Sequence, residues 1–185
     1  MIDVAIIVGS TRPNRRGLVV AQWVHELAAH RTDAKFELVD LVDYNLPLLD
    51  EPAPPSMQKY TKDHTKAWSA KIAAFDAFVF VTPEYNRSFS AALKNAIDFL
   101  YVEWTNKAAG FVSYGSVGGT RAVEHLRCVM GELQVADVRA QVSLSIRTDW
   151  ENFKVFKPAE HHAKSVETML DQVVAWGGAL EPLRG

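Results

Sequence analysis

Short apolar runs alternate with amphipathic stretches along this chain, an alternation that predicts strands and helices taking turns. The runs are 4–8, 36–41, 77–82, 109–114 and 138–146. Those at 4–8, 77–82 and 109–114 are almost unbroken in apolar residues, as strands covered by helices on both faces are. Elsewhere apolar residues return at three- and four-residue intervals, the spacing of one helical face. Val20, Val24, Leu27 and Ala28 form a first stripe, and Tyr60, Ala67, Trp68, Ile72 and Phe75 a second. Leu93, Ala96, Ile97, Leu100 and Tyr101 form a third. Val123, Leu126, Val129, Met130 and Leu133 form a fourth, and Val166, Met169, Leu170, Val173 and Val174 a fifth. Such βαβ repetition predicts the α/β class, with five strands in a small doubly wound parallel sheet.

Two segments lack this patterning. Residues 45–56, with prolines at 47, 52, 54 and 55, read as a surface connection. Residues 148–158 carry Trp150, Phe153 and Phe156 among charges and read as an extended segment before the last helix. No internal repeat breaks the chain, so a single domain over 1–185 is expected, long enough for one real core. A net charge of −2 predicts no general attraction to nucleic acid or to an anionic membrane. The lone Cys128 excludes an internal disulfide and fits a reducing compartment. The first apolar run is short and has no basic flank, unlike a signal peptide, and no run approaches membrane-spanning length. A cytoplasmic protein is therefore expected, and Asn86-Arg87-Ser88 is read as a chance match to a glycosylation acceptor.

Candidate chemistry gathers after the first strand. Residues 9–17, Gly-Ser-Thr-Arg-Pro-Asn-Arg-Arg-Gly, place two hydroxyls and three arginines where a strand turns into a helix. A helix start aims unpaired N–H groups and a positive dipole end at one spot, which favours an anion. Arg12, Arg15 and Arg16 add charge-assisted, bidentate donors of the kind that suit phosphate. The alternative is a polar turn with solvated arginines. Gly-x-Gly-x-x-Gly is absent, since Thr11 and Asn14 hold its second and third glycine places, and no Gly-Lys pair exists for a Walker A loop.

In a doubly wound sheet, ligands bind beyond the carboxyl ends of the strands, where strand order reverses. Two more unusual loops are expected there. Thr82-Pro83-Glu84-Tyr85-Asn86-Arg87-Ser88 offers an acceptor, an aromatic face and an amide in succession, suited to a planar heterocycle, or simply a well-capped turn. Ser88 or Ser90 would cap a helix beginning near Ala91. Tyr114-Gly115-Ser116-Val117-Gly118-Gly119 lets backbone approach a ligand closely or satisfies positive φ.

The three loops together, with Leu93-Lys94-Asn95 opening the helix after Asn86, resemble the NAD(P)H-dependent FMN reductases of flavodoxin-like fold, over residues 1 to about 135. That family includes flavin, quinone, azo-dye and chromate reductases. The resemblance implies a three-layer α/β/α sandwich with strand order 2-1-3-4-5. It implies that Ser10, Arg12, Arg16 and the Gly17 backbone hold the FMN phosphate, with Arg15 beside them. Pro83, Glu84, Tyr85 and Asn86 would line the isoalloxazine ring, and Gly115, Ser116 and Gly118 would close on it from the other side. NADPH or NADH would be co-substrate, and a small electron acceptor would take the electrons. A homodimer or homotetramer is implied, with the flavin site near the subunit interface; Phe99, Tyr101, Trp104, Trp150 and Phe153 offer aromatic surface for it or pack in the core. Arg87 occupies a place where glycine is frequent.

No catalytic side chain is expected, because the cofactor carries the chemistry; Tyr85 is the nearest proton donor. Ser113 misses a nucleophile elbow because Phe111 stands where its first glycine belongs. His161-His162 lacks partners at metal-ligand spacing and reads as solvated, and Cys128 reads as packing beside the fourth stripe. The rival is a flavodoxin-type electron carrier without its own NAD(P)H activity. The arginines and the near-neutral charge count against it.

Overall fold

A computed structural model describes residues 1–184. Five parallel strands, β1 (Ile2–Val8), β2 (Ala34–Asp40), β3 (Ala77–Pro83), β4 (Ala108–Gly115) and β5 (Ala136–Ser145), form one sheet in the order β2-β1-β3-β4-β5. This is the expected 2-1-3-4-5 order. Every residue of β3 is buried, whereas β2 at the edge alternates buried and exposed positions. The nearly unbroken apolar runs are thus the three inner strands, which helices cover on both sides.

Alternate side chains feed two cores, because successive residues on a strand point to opposite faces. On one face α1 (Gly17–Ala28) and α5 (His161–Ala179) set Val20, Val24, Val166 and Met169 against Ile6, Val8, Val79 and Val112. On the other, α2 (Asp63–Ala73), α3 (Ala91–Asp98) and α4 (Thr120–Glu132) set Trp68, Ile72, Leu93, Ile97 and Leu126 against Ile7, Phe78, Phe80 and Phe111. Trp68 and Trp104 satisfy their indole N–H groups on the Ala96 and Ile97 carbonyls at 2.8 and 3.1 Å.

Several expectations change here. Phe99, Trp104 and Trp150 are core residues, while Phe153 is 58% exposed. Cys128 is exposed on α4 rather than packed. His162 is buried, with its Nε2 3.1 Å from Asp149 Oδ1, and that burial lowers its pKa; a helical stripe does not reveal what a following turn folds over. The extended segment 148–158 is a hairpin, β6 (Trp150–Glu151) against β7 (Val155–Phe156), packed through Phe156 on Trp23. The connection 45–56 runs between short 3-10 turns at Leu41–Tyr44 and Pro55–Met57. Asn95 clamps it, accepting from Leu49 N at 2.9 Å and donating to the Pro47 carbonyl at 2.7 Å.

Candidate cofactor site

Three loops meet at the carboxyl edge, between the sheet's inner strands. Gly9 allows it: its N–H donates to the Val81 carbonyl at 2.8 Å, and a Cβ there would lie 2.8 Å from that oxygen. The first two loops are then tied by Ser90, which caps α3 by accepting from Leu93 N at 3.1 Å and donates its own hydroxyl proton to the Gly9 carbonyl. The second and third are tied by Glu84. Its N–H donates to the Tyr114 carbonyl at 3.0 Å, and its carboxylate pairs with the Arg121 guanidinium while accepting from Arg121 N at 3.2 Å, at the start of α4. Gly118 and Gly119, both at positive φ (79° and 73°), make the sharp turn that starts α4 there.

Around these anchors lies a cavity of about 250 Å³, lined by Arg12, Arg16, Pro83, Glu84, Tyr85, Tyr114, Gly115, Ser116 and Ile146. Arg12 lies over the Tyr85 ring, 5.8 Å from its centroid, and Tyr85 Oη is 3.3 Å from Ser10 Oγ. Ser10 and Gly17 are buried beside these residues. Arg16 donates to the Phe153 carbonyl of the hairpin and lies 5.8 Å over the Trp150 ring.

Not every expected residue comes to the cavity. Arg15 turns away and pairs with Asp40 at the end of β2. Asn86 is exposed at the tip of a tight turn in which Tyr85 and Ser88 exchange backbone hydrogen bonds of 2.8 and 3.0 Å. Gly118 is buried against Ser143. Of the described backbone amides at 83–86, those of Glu84 and Tyr85 are engaged and that of Asn86 is free. Conversely, Ile146 and the hairpin were not read as site residues from sequence, and Tyr114 was read only as the start of the third loop. Tyr114 ends an apolar strand and carries no motif of its own; the alternation of faces along β4 is the one signal that aims it toward α1.

The matching of whole sequences agrees with this geometry. Residues 2–149 match the family described as NADPH-dependent FMN reductase. The chain belongs to that family. An NAD(P)H-dependent FMN reductase of Schizosaccharomyces pombe is 41% identical over 163 residues, covering 87% of this chain and 82% of that protein. A 2-hydroxy-1,4-benzoquinone reductase of a Burkholderia species is 29% identical over 187 residues, covering 95% and 96% of the two chains. Among solved structures, the flavoenzyme NAD(P)H:(acceptor) oxidoreductase FerB of Paracoccus denitrificans shares the fold, with TM-score 0.75 and 22% identity over 97% of this chain and 98% of that one.

The residues of this FMN reductase family member fit a phosphorylated flavin. Two arginines and the open start of α1 supply cationic and N–H donors to one corner. The Tyr114 hydroxyl there is buried with no acceptor for its proton among the described residues, a state that costs about 1–3 kcal/mol unless a ligand relieves it. The Tyr85 ring and the Gly115 backbone flank the opening with flat, close surfaces.

Proposed function

We propose that this single-domain protein oxidises NADPH or NADH and reduces a small quinone-like acceptor through FMN held at the carboxyl edge of the sheet. The observation that carries the reading is the convergence of Arg12, Arg16, Tyr85, Gly115 and Ser116 on one cavity. FMN, when bound, supplies the two-electron chemistry, accepting hydride from the nicotinamide and giving electrons to the acceptor. Ser10, Arg12, Arg16 and the first amides of α1 hold the phosphate. The free Asn86 amide donates to the polar edge of the ring, and Pro83 and Tyr85 fix the height of that edge by rigid turn geometry. Gly115 and Ser116 leave room for backbone to lie against the ring, so that one face stays open to nicotinamide and acceptor in turn. No side chain has to move a proton for hydride transfer; the protein orients the reactants and shields them from water.

The quinone assignment is supported by the benzoquinone reductase relative and by Pro83, Tyr85 and Ile146, which give the cavity an aromatic and apolar part of its lining. The enzyme works as a homodimer or homotetramer with the flavin site near the subunit interface. Supporting subunit association is an apolar groove of about 490 Å³ at the C-terminal ends of α3 and α4, lined by Ile97, Leu100, Val129 and Leu133. The lone, reduced cysteine supports a cytoplasmic setting; no helix among the described residues is long and apolar enough to cross a membrane.

Steady-state rates of FMN-loaded protein, with both nicotinamides varied against a benzoquinone, test the reading. Sharing of one ring face predicts parallel double-reciprocal lines. Lines that converge, or an absence of turnover with every quinone tried, would overturn it.

A further inference from the structure

Tyr114 is the largest buried group at the site that nothing in the fold explains. It leaves the end of β4 on the α1 face of the sheet, and it is 6% exposed. Its ring packs beside Trp150, 6.2 Å between centroids, which accounts for the aromatic part. The hydroxyl is unaccounted for: it is fully buried, the Ser10 hydroxyl and the Gly17 N–H lie beside it as donors, and among the described residues nothing accepts its own proton. A phenylalanine would pack there without that cost.

The hydroxyl lies over the first residue of α1. A Cβ at position 17 would come within 2.9 Å of Tyr114 Oη, so glycine opens this helix because the phenol occupies the space. Ser10, Tyr85, Arg12 and the Gly17 backbone surround the oxygen. Three features therefore coincide at one corner: the N-terminus of a twelve-residue helix, two arginines lining the cavity, and a buried donor with nothing to donate to. Burial also raises the phenol's pKa, so the proton stays on the oxygen at neutral pH and remains available to donate.

We propose that Tyr114 Oη donates a hydrogen bond to the terminal phosphate of the bound flavin, and that it makes this corner selective for the 5′-phosphomonoester over the unphosphorylated flavin. The proposal rests on the FMN reading above and gives a role to the side chain of Tyr114, which the third loop offered only as backbone. A phosphate oxygen satisfies the orphaned hydroxyl, and the charge makes the bond stronger than a neutral one.

The test is titration of apoprotein, wild type and Tyr114→Phe, with FMN and with riboflavin, followed by flavin fluorescence, together with thermal melts with and without FMN. Tyr114→Phe removes a hydroxyl whose proton has no acceptor and keeps the ring, so the apoprotein is expected to melt at the same temperature or higher. Its FMN affinity is expected to fall about tenfold or more, with riboflavin affinity unchanged and a smaller FMN-induced rise in melting temperature. Equal losses for FMN and riboflavin, or no loss for either, overturn the role of Tyr114. Should wild-type protein itself fail to prefer FMN over riboflavin, the phosphate site as a whole is overturned instead.

Discussion

Arg87 stands at a backbone position suited to glycine. The turn closed by Tyr85 and Ser88 carries Asn86 at φ 48° and Arg87 at φ 72°, and a two-residue turn with both central residues at positive φ is the type I′ form that favours Asn-Gly. Asparagine tolerates that conformation and arginine does not, by about 1 kcal/mol. Arg87→Gly is accordingly expected to raise the urea midpoint by the equivalent of about 1 kcal/mol with an unchanged slope. A decrease would show that the Arg87 side chain holds the loop. The residue scale is also where sequence was least transparent. Arg12, Arg15 and Arg16 look equivalent as letters. They part because a turn with Asn14 at φ 56° sends Arg15 toward Asp40, and that pairing depends on β1 lying beside β2. Glu84 likewise looked like a ring-lining acceptor. Its carboxylate instead fastens the start of α4, a partner 37 residues away.

Among elements, the inner strands were legible and the hairpin was not. Strands β1, β3 and β4 announce themselves because burial on both faces leaves them apolar but for Asp3, Thr82 and Ser113. Residues 148–158 have no period, and their shape is set by one buried side chain. Asp149 Oδ2 accepts from Ser145 N at 2.8 Å, and Oδ1 accepts from Ala159 N at 3.1 Å beside His162. The hairpin so held presents the Phe153 carbonyl and the Trp150 ring to Arg16, one of the two cavity arginines. Asp149→Ala strands those donors and is expected to cost about 3 kcal/mol in urea unfolding, and to expose 151–155 to limited proteolysis. Wild-type stability and protease resistance in that variant would mean that the hairpin is held by its aromatic packing alone. Helix ends were legible to within a turn: Ser90 caps α3 as expected, whereas Leu100 and Tyr101 continue the stripe beyond the helix because the chain stays packed on the same core.

For the whole molecule, the decisive feature is the strand order. Because β1 lies between β2 and β3, the order in which strands are added reverses there, and the loops after the parallel strands β1, β3 and β4 open on the same edge. Alternating strands and helices joined by right-handed crossovers made the parallel sheet readable before any coordinates, while its order was implied by the family resemblance. That order turns three weak loop motifs into one site. The proposed function requires that reduced nicotinamide deliver hydride directly to FMN at this edge of the sheet. Rapid anaerobic mixing of FMN-loaded protein with NADPH or NADH, watching the yellow absorbance of the oxidised flavin, tests it most directly. The account predicts that the colour bleaches in a single turnover with no second protein present. Colour that persists until a separate reductase is added would contradict it and mark the protein as an electron carrier.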